Sequence, residues 1–182
     1  MKHPARWIAL TAGAVVVVLG VILALNVGND PELESEQNRL LGHAAPAFNL
    51  QTLTGTHVSS ASLAGKSVIV NFWNTWCIPC RQELPELKKF YDAHASDPDF
   101  AMVGIVRDAQ ASTSAIAEYV KDEQMGWTIA LDPDARAALD FGTRGQPETF
   151  AISPQGEIVG FQIARVTRSN LEKMLDYARG AT

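Results

Sequence analysis

The chain has 182 residues, 47% hydrophobic and 19% charged, enough for one domain with a proper core and too apolar for disorder. Its 15 Lys and Arg stand against 20 Asp and Glu, a net charge of −5, which argues against nucleic acid as a partner because phosphate binding is led by clustered bases. Two cysteines exclude a disulfide scaffold and a four-cysteine zinc site.

The charge is unevenly placed. Residues 1–29 hold Lys2 and Arg6 and no acid, so residues 30–182 carry 13 bases against 20 acids. Trp7 to Val27 contains no charge, and only Thr11 and Asn26 are clearly polar. At about 1.5 Å per residue this run reaches about 31 Å, the thickness of a bilayer's hydrocarbon core. The bases before it and Asp30, Glu32, Glu34 and Glu36 after it orient the N-terminus to the cytoplasm. The expected organisation is a cytoplasmic stub (1–6), a single-pass anchor in the cytoplasmic membrane (7–27), a linker (28–45) and an extracytoplasmic domain (46–182). A cleaved signal peptide is the competing reading, with Ile22-Leu23-Ala24 as a poor small-residue site.

From Ala45 onward strand-like and helix-like pieces alternate. Val68 to Trp73 is a nearly continuous β-branched and aromatic run, as in a strand buried on both faces. Pro79 to about Ala95 reads as a helix with Leu84, Leu87, Phe90 and Tyr91 on one side. Phe100 to Val106 is a second apolar strand, which completes a βαβ unit and implies a parallel pair. A helix over Ser114–Gln124, a strand at Ile129–Leu131 and a short helix over Pro133–Phe141 follow. Thr149–Ile152 and Ile158–Ile163 are strands joined by Ser153-Pro154-Gln155-Gly156, a type I turn making an antiparallel hairpin. Ser169 with Glu172 three residues on suggests a capping box opening the last helix. The economical fold is α/β, a mixed sheet flanked by helices.

Trp76-Cys77-Ile78-Pro79-Cys80 follows the central strand and opens the first helix. Two residues between the sulfurs let them reach disulfide distance. Cys77 at the helix N-terminus has unpaired N–H groups and the helix dipole to favour a thiolate. It is therefore expected to be the exposed, attacking sulfur, and Cys80, one turn deeper, the resolving one. A structural bridge usually closes a longer loop than this. A zinc site would need ligands that His3, His43, His57 and His94 are not spaced to supply. Neither a metal nor a bound cofactor is required, because the dithiol itself carries two electrons.

These residues bring a family into view. Gly42-His43-Ala44-Ala45-Pro46-Ala47-Phe48-Asn49-Leu50, Asn71-Phe72-Trp73-Asn74-Thr75-Trp76-Cys77, Leu131-Asp132-Pro133-Asp134 and Gly145-Gln146-Pro147-Glu148-Thr149-Phe150 together resemble the membrane-anchored, extracytoplasmic thioredoxin-like proteins. Within them the chain is most similar to the TlpA-like and ResA-like group and to the cytochrome c maturation thiol reductases of the DsbE or CcmG type. The resemblance implies a thioredoxin-like fold whose extra helix–strand insert lies between Asp108 and Leu131. It matches Pro147 to the cis-proline facing the disulfide, and Gln146 to the substrate-facing residue before it. Glu83 matches an acid that relatives carry close to the cysteine pair, and Pro85 the kink position of the active-site helix. Cytoplasmic thioredoxins place an acid on the strand where this chain has Asn71, so Glu83 becomes the candidate for relaying a proton to or from Cys80; a solvated helix carboxylate is the alternative. Trp76 is expected to shield the sulfurs and contact substrate, Trp73 to lie in the core. Glu148 adds charge either near the site or to the surface.

The expected activity is thiol–disulfide exchange outside the cytoplasm. The resemblance implies a reductant of exported protein thiols and disulfides such as those of apocytochrome c, itself served by a membrane thiol donor. The rivals are a disulfide-forming oxidant and, from another class, a Cu(I)-binding carrier built on the two thiolates. A peroxidase reading is invited by Ala45–Leu50, but the Thr-rich context of a peroxide-attacking cysteine is absent.

Overall fold

The structure is a computed structural model that describes residues 13–21 and 40–180. Residues 13–21 are helical and exposed. Among the described residues no helix is long and apolar enough to cross a membrane. The expected anchor over 7–27 extends past residues 13–21 on both sides, and the stub and most of the linker also lie outside the described residues.

A five-stranded mixed sheet organises the domain, in the order β5-β4-β3-β6-β7. Its strands are β3 (Ser67–Trp73), β4 (Phe100–Val106), β5 (Thr128–Leu131), β6 (Glu148–Ile152) and β7 (Ile158–Ile163). β3 pairs parallel to β4 and antiparallel to β6, β4 parallel to β5, and β6 antiparallel to β7. The βαβ unit and the hairpin read from the sequence are therefore both present. All seven residues of β3 are buried, because alternate side chains feed two cores. Ile69 and Trp73 join one with α1 (Ile78–His94) and α4 (Arg168–Ala178), while Val68, Val70 and Phe72 join Phe141 and Phe150 on the other face. Asn71 falls between Ile69 and Trp73, so the pleat turns its amide toward α1.

In α1 the buried residues are Cys80, Glu83, Leu84, Leu87 and Phe90. Their spacing of three and four is one helical stripe, and Glu83 is its charged member. Pro85 sits inside this helix. Gly104, opposite Asn71 in β4, has a packing reason to be glycine: an added Cβ would lie 2.9 Å from the indole nitrogens of both Trp73 and Trp127.

Four details differ from the sequence reading. The helix expected over Pro133–Phe141 begins later, as α3 (Arg136–Asp140), because the Asp132 carboxylate accepts from the N–H groups of Ala137 (3.1 Å) and Ala138 (2.9 Å) and spends Pro133–Ala135 on the turn. The cap of α4 is Thr167 with Asn170, not Ser169 with Glu172; Glu172 instead pairs with His94 of α1 at 2.8 Å and accepts from Arg168. A two-stranded antiparallel sheet, β1 (Asn49–Gln51) with β2 (His57–Ser59), is additional, and three-residue strands are too short to show a period. Residues 41–45, placed in the linker by the sequence reading, pair with the β6–β7 hairpin through Gly42 N–H to Ile158 C=O (2.8 Å) and Ala45 N–H to Gly156 C=O (2.8 Å). The insert is α2 (Thr113–Asp122) followed by β5, which forms the sheet edge.

Candidate active site

The site lies where β3 and β4 end and β6 begins. β3 runs out at Trp73, and the chain turns through Asn74-Thr75-Trp76 into α1. Cys77 is the N-cap of that helix; its sulfur accepts from the Cys80 N–H at 3.2 Å, and Pro79 occupies the first turn. This geometry aims an orphan helix N–H at the sulfur, which favours a thiolate at Cys77. Cys77 and Cys80 form a disulfide with Cα atoms 5.3 Å apart. With the bridge closed, Cys77 is only 3% exposed and Cys80 6%, so the expected exposure of Cys77 does not hold in this form. Both cysteines belong to the buried core, while their chain neighbours Trp76 and Ile78 are 58% and 69% exposed. Trp76 is thus an apolar surface beside the bridge, and Trp73 is core, stacked on Tyr119 at 5.6 Å.

Glu83 is one helical turn beyond Cys80 and 1% exposed, which removes the solvated-carboxylate alternative. Its Oε1 accepts from Asn71 Nδ2 (3.0 Å) and its Oε2 from the Val166 N–H (2.9 Å), and Asn71 also donates to Thr149 (3.1 Å). Burial pushes the carboxyl up to about 7, against the opposing pull of the Val166 and Asn71 bonds and the Arg165 charge. A group poised near neutrality suits proton transfer. Cys80, Glu83 and Asn71 line one small cavity of about 10 Å³ with Trp73, Leu84, Leu87, Tyr119 and Met125, about the space one water needs.

The third segment is the loop before β6. The Gln146–Pro147 peptide is cis, and Pro147 is buried while Gln146 is half-buried. Glu148, left open between site and surface by the sequence, is buried. Its Oε1 accepts from the N–H groups of Arg144 (2.7 Å) and Gly145 (2.9 Å), which holds the loop in its turn. Burial raises this carboxyl too, opposed by those two bonds and by the Arg144 and Arg107 charges.

Sequence reasoning missed what fastens these segments together. The Asn74 side chain accepts from the Arg107 N–H (3.3 Å). The buried Asp108 accepts from the N–H (3.3 Å) and hydroxyl of Thr75, and from the N–H groups of Gln110 (3.3 Å) and Ala111 (3.2 Å). With the Gln146 amide oriented by its hydrogen bonds, its oxygen accepts from Arg107 Nη2 at 2.6 Å and from Arg107 Nε. Asn74 and Arg107, Thr75 and Asp108, and Arg107 and Gln146 stand 33 or more residues apart, and such partners leave no spacing signal in a single sequence.

A model of the AhpC/TSA family matches residues 41–161. The chain is 35% identical over 157 residues to the thiol:disulfide interchange protein DsbE of Pseudomonas fluorescens, covering 84% of this chain and 82% of that one. It is 30% identical over 138 residues to the thiol-disulfide oxidoreductase ResA of Bacillus cereus, covering 74% and 76%. A solved thioredoxin-family thiol:disulfide interchange protein from Chlorobium tepidum superposes with a TM-score of 0.65 at 31% identity, over 74% of this chain and 94% of that one. A cysteine pair at a helix N-terminus in a thioredoxin-like sheet, in a chain with these relatives, is the machinery of protein thiol–disulfide exchange, and the chain belongs to the thioredoxin-like AhpC/TSA family as a thiol–disulfide oxidoreductase of the ResA and DsbE type.

Proposed function

We propose that the protein is a membrane-tethered reductant of exported protein disulfides, working outside the cytoplasm and re-reduced by a membrane thiol donor. The observation that carries the direction is the buried Glu83 carboxyl lining the Cys80 cavity. A cysteine pair is a strong oxidant when its reduced form is stabilised. A carboxylate beside the sulfurs does the reverse, since like charges disfavour a thiolate. The disulfide is thereby favoured and the dithiol gives up its electrons readily. Exchange begins with the Cys77 thiolate attacking a substrate sulfur and expelling the other as thiolate. Cys80, its proton passed to Glu83, then attacks Cys77 to form the intramolecular bridge and release the second substrate thiol. Trp76 and Gln146 contact the substrate chain, and Pro147 faces the bridge.

The similarity to DsbE supports apocytochrome c haem-attachment cysteines as the substrate, and the uncharged run 7–27 supports the anchor. The midpoint potential, measured by equilibrating the domain with dithiothreitol couples, should lie nearer thioredoxin's value of about −270 mV than the −120 mV or so of DsbA. A potential near the latter would make the protein an oxidant. In its own host, loss of the gene should lower c-type cytochromes and added dithiol should restore them. The chain should resist carbonate extraction from membranes, with residues 46–182 open to protease from the outer side alone. A soluble mature form starting after Ala24 would replace the anchor with a signal peptide.

A further inference from the structure

We propose that Arg107 is a positioning residue for protein substrates, acting through Gln146. Three observations converge on it. First, Gln146 stands at the rim of the site, two residues before the first β3–β6 pairing at Phe72 and Glu148. Among the described residues its backbone N–H and C=O form no hydrogen bond. An unpaired backbone unit at the end of a sheet is what an extended peptide pairs with, and here it lies at the end of the sheet where β3 runs into the cysteine loop. Second, nothing local holds the Gln146 side chain, which reaches instead across to the end of β4, where the Arg107 guanidinium grips its amide oxygen through Nη2 (2.6 Å) and Nε. A planar fork meeting one oxygen through two N–H groups restrains direction as well as distance. Third, Arg107 is itself anchored to the cysteine loop. Its N–H donates to Asn74, and the next residue, Asp108, accepts from Thr75. Arg107 and Asp108 therefore link the nucleophile's loop to the Gln146 loop, whose backbone Glu148 also holds through the N–H groups of Arg144 and Gly145.

The consequence is selective. A small disulfide needs only the Cys77 sulfur. A peptide disulfide must also lay its backbone along Gln146, so its reaction gains from a Gln146 held in place beforehand. The proposal rests on exchange at Cys77 in either direction, and the midpoint potential tests the reductant reading separately.

The test uses the reduced full chain against two disulfides, the homodimer of a short single-cysteine peptide and hydroxyethyl disulfide. In each, the Cys77–Cys80 dithiol loses two electrons and two protons, and one disulfide becomes two thiols. Arg107→Met should lower the peptide-over-hydroxyethyl rate ratio about tenfold, the effect of losing hydrogen bonds from a charged group. Arg107→Lys keeps the charge without the fork and should show most of the same loss. In a Gln146→Ala background, Arg107→Met should change the ratio less than twofold further, because the residue it acts through is gone. The Lys variant and the Gln146→Ala comparison carry the test if the Met variant does not fold. An unchanged ratio, full rescue by Lys, or losses that multiply in the double variant would overturn the proposal.

Discussion

Replacing Glu83 with Gln tests the proton-handling role proposed for this carboxyl through stability as well as rate. In the oxidised protein the cysteines do not titrate, so the measurement isolates the acid. Its carboxyl titrates near 7 in the fold and near 4.5 in the free chain. Between those values the folded protein binds more protons than the unfolded one, so stability falls as pH rises. The contribution is fully present below about 4.5 and is lost as pH passes through about 7. At about 1.4 kcal/mol per pH unit, the window costs the folded state about 3 kcal/mol. Glu83→Gln should abolish that slope, so the variant gains on the parent from pH 4.5 to 8. The gain is smaller by about 1 kcal/mol if one hydrogen bond is lost. The surroundings can accept a neutral group: Oε2 faces the Val166 N–H, so a proton must sit on Oε1, toward Asn71. Asn71 then turns its amide oxygen to that proton, and the Thr149 hydroxyl, able to donate or accept, follows. Urea unfolding of both oxidised proteins at several pH values reads the difference directly. Parallel stability profiles across the window would refute the burial argument. Overlaid pH profiles of exchange would refute the relay.

Three further outcomes follow from the same geometry. Brief alkylation of the reduced protein near neutral pH should label Cys77 well ahead of Cys80, since only the Cys77 sulfur receives the helix N–H; mass spectrometry of the peptides showing equal labelling would remove the division into nucleophile and resolver. Asp108→Ala should destabilise the domain by about 1–2 kcal/mol in urea unfolding, because a buried carboxylate that accepts from Thr75, Gln110 and Ala111 is lost while water can reach the half-buried and exposed N–H groups it leaves. Gly104→Ala should cost about 1–3 kcal/mol by overpacking against Trp73 and Trp127, with a loss of thermal midpoint and no change in thiol titration.

What the sequence showed follows from the range over which each signal acts. The Val68–Trp73 run, the α1 stripe and the 153–156 turn are local patterns of hydrophobicity or turn chemistry, and each matches the fold. The cysteine pair was legible because three consecutive turns of logic (strand end, N-cap, first helical turn) fall within ten residues. Glu83 was picked out by resemblance to an acid that relatives carry near the cysteine pair, supported by the absence of an acid at Asn71, and the structure joins those two side chains at 3.0 Å. Caps were read less well. Thr167 took the role assigned to Ser169, because several residues near a helix start are chemically able to cap and tertiary geometry chooses among them. The contacts of Arg107 with Asn74 and Gln146, and of Asp108 with Thr75, were not legible at all. They form only after β3, β4 and β6 are brought side by side.

Moving the acid from strand to helix has a structural consequence beyond its distance to Cys80. A carboxylate at position 71 would sit in the middle of β3, bonded to neighbours in the sheet. At position 83 it spans the core instead, with one oxygen on the strand through Asn71 and the other on the Val166 N–H just before α4. The protonation state of Glu83 is therefore felt at both contacts. The Val166 bond is charge-assisted while the carboxyl is ionised and weakens when it is neutral. The segment leading into α4 is thus held most firmly in the same state that most disfavours a thiolate at Cys80. Removing the negative charge eases both together, so the proton transfer proposed for Glu83 would weaken its hold on the Val166 N–H at the same time.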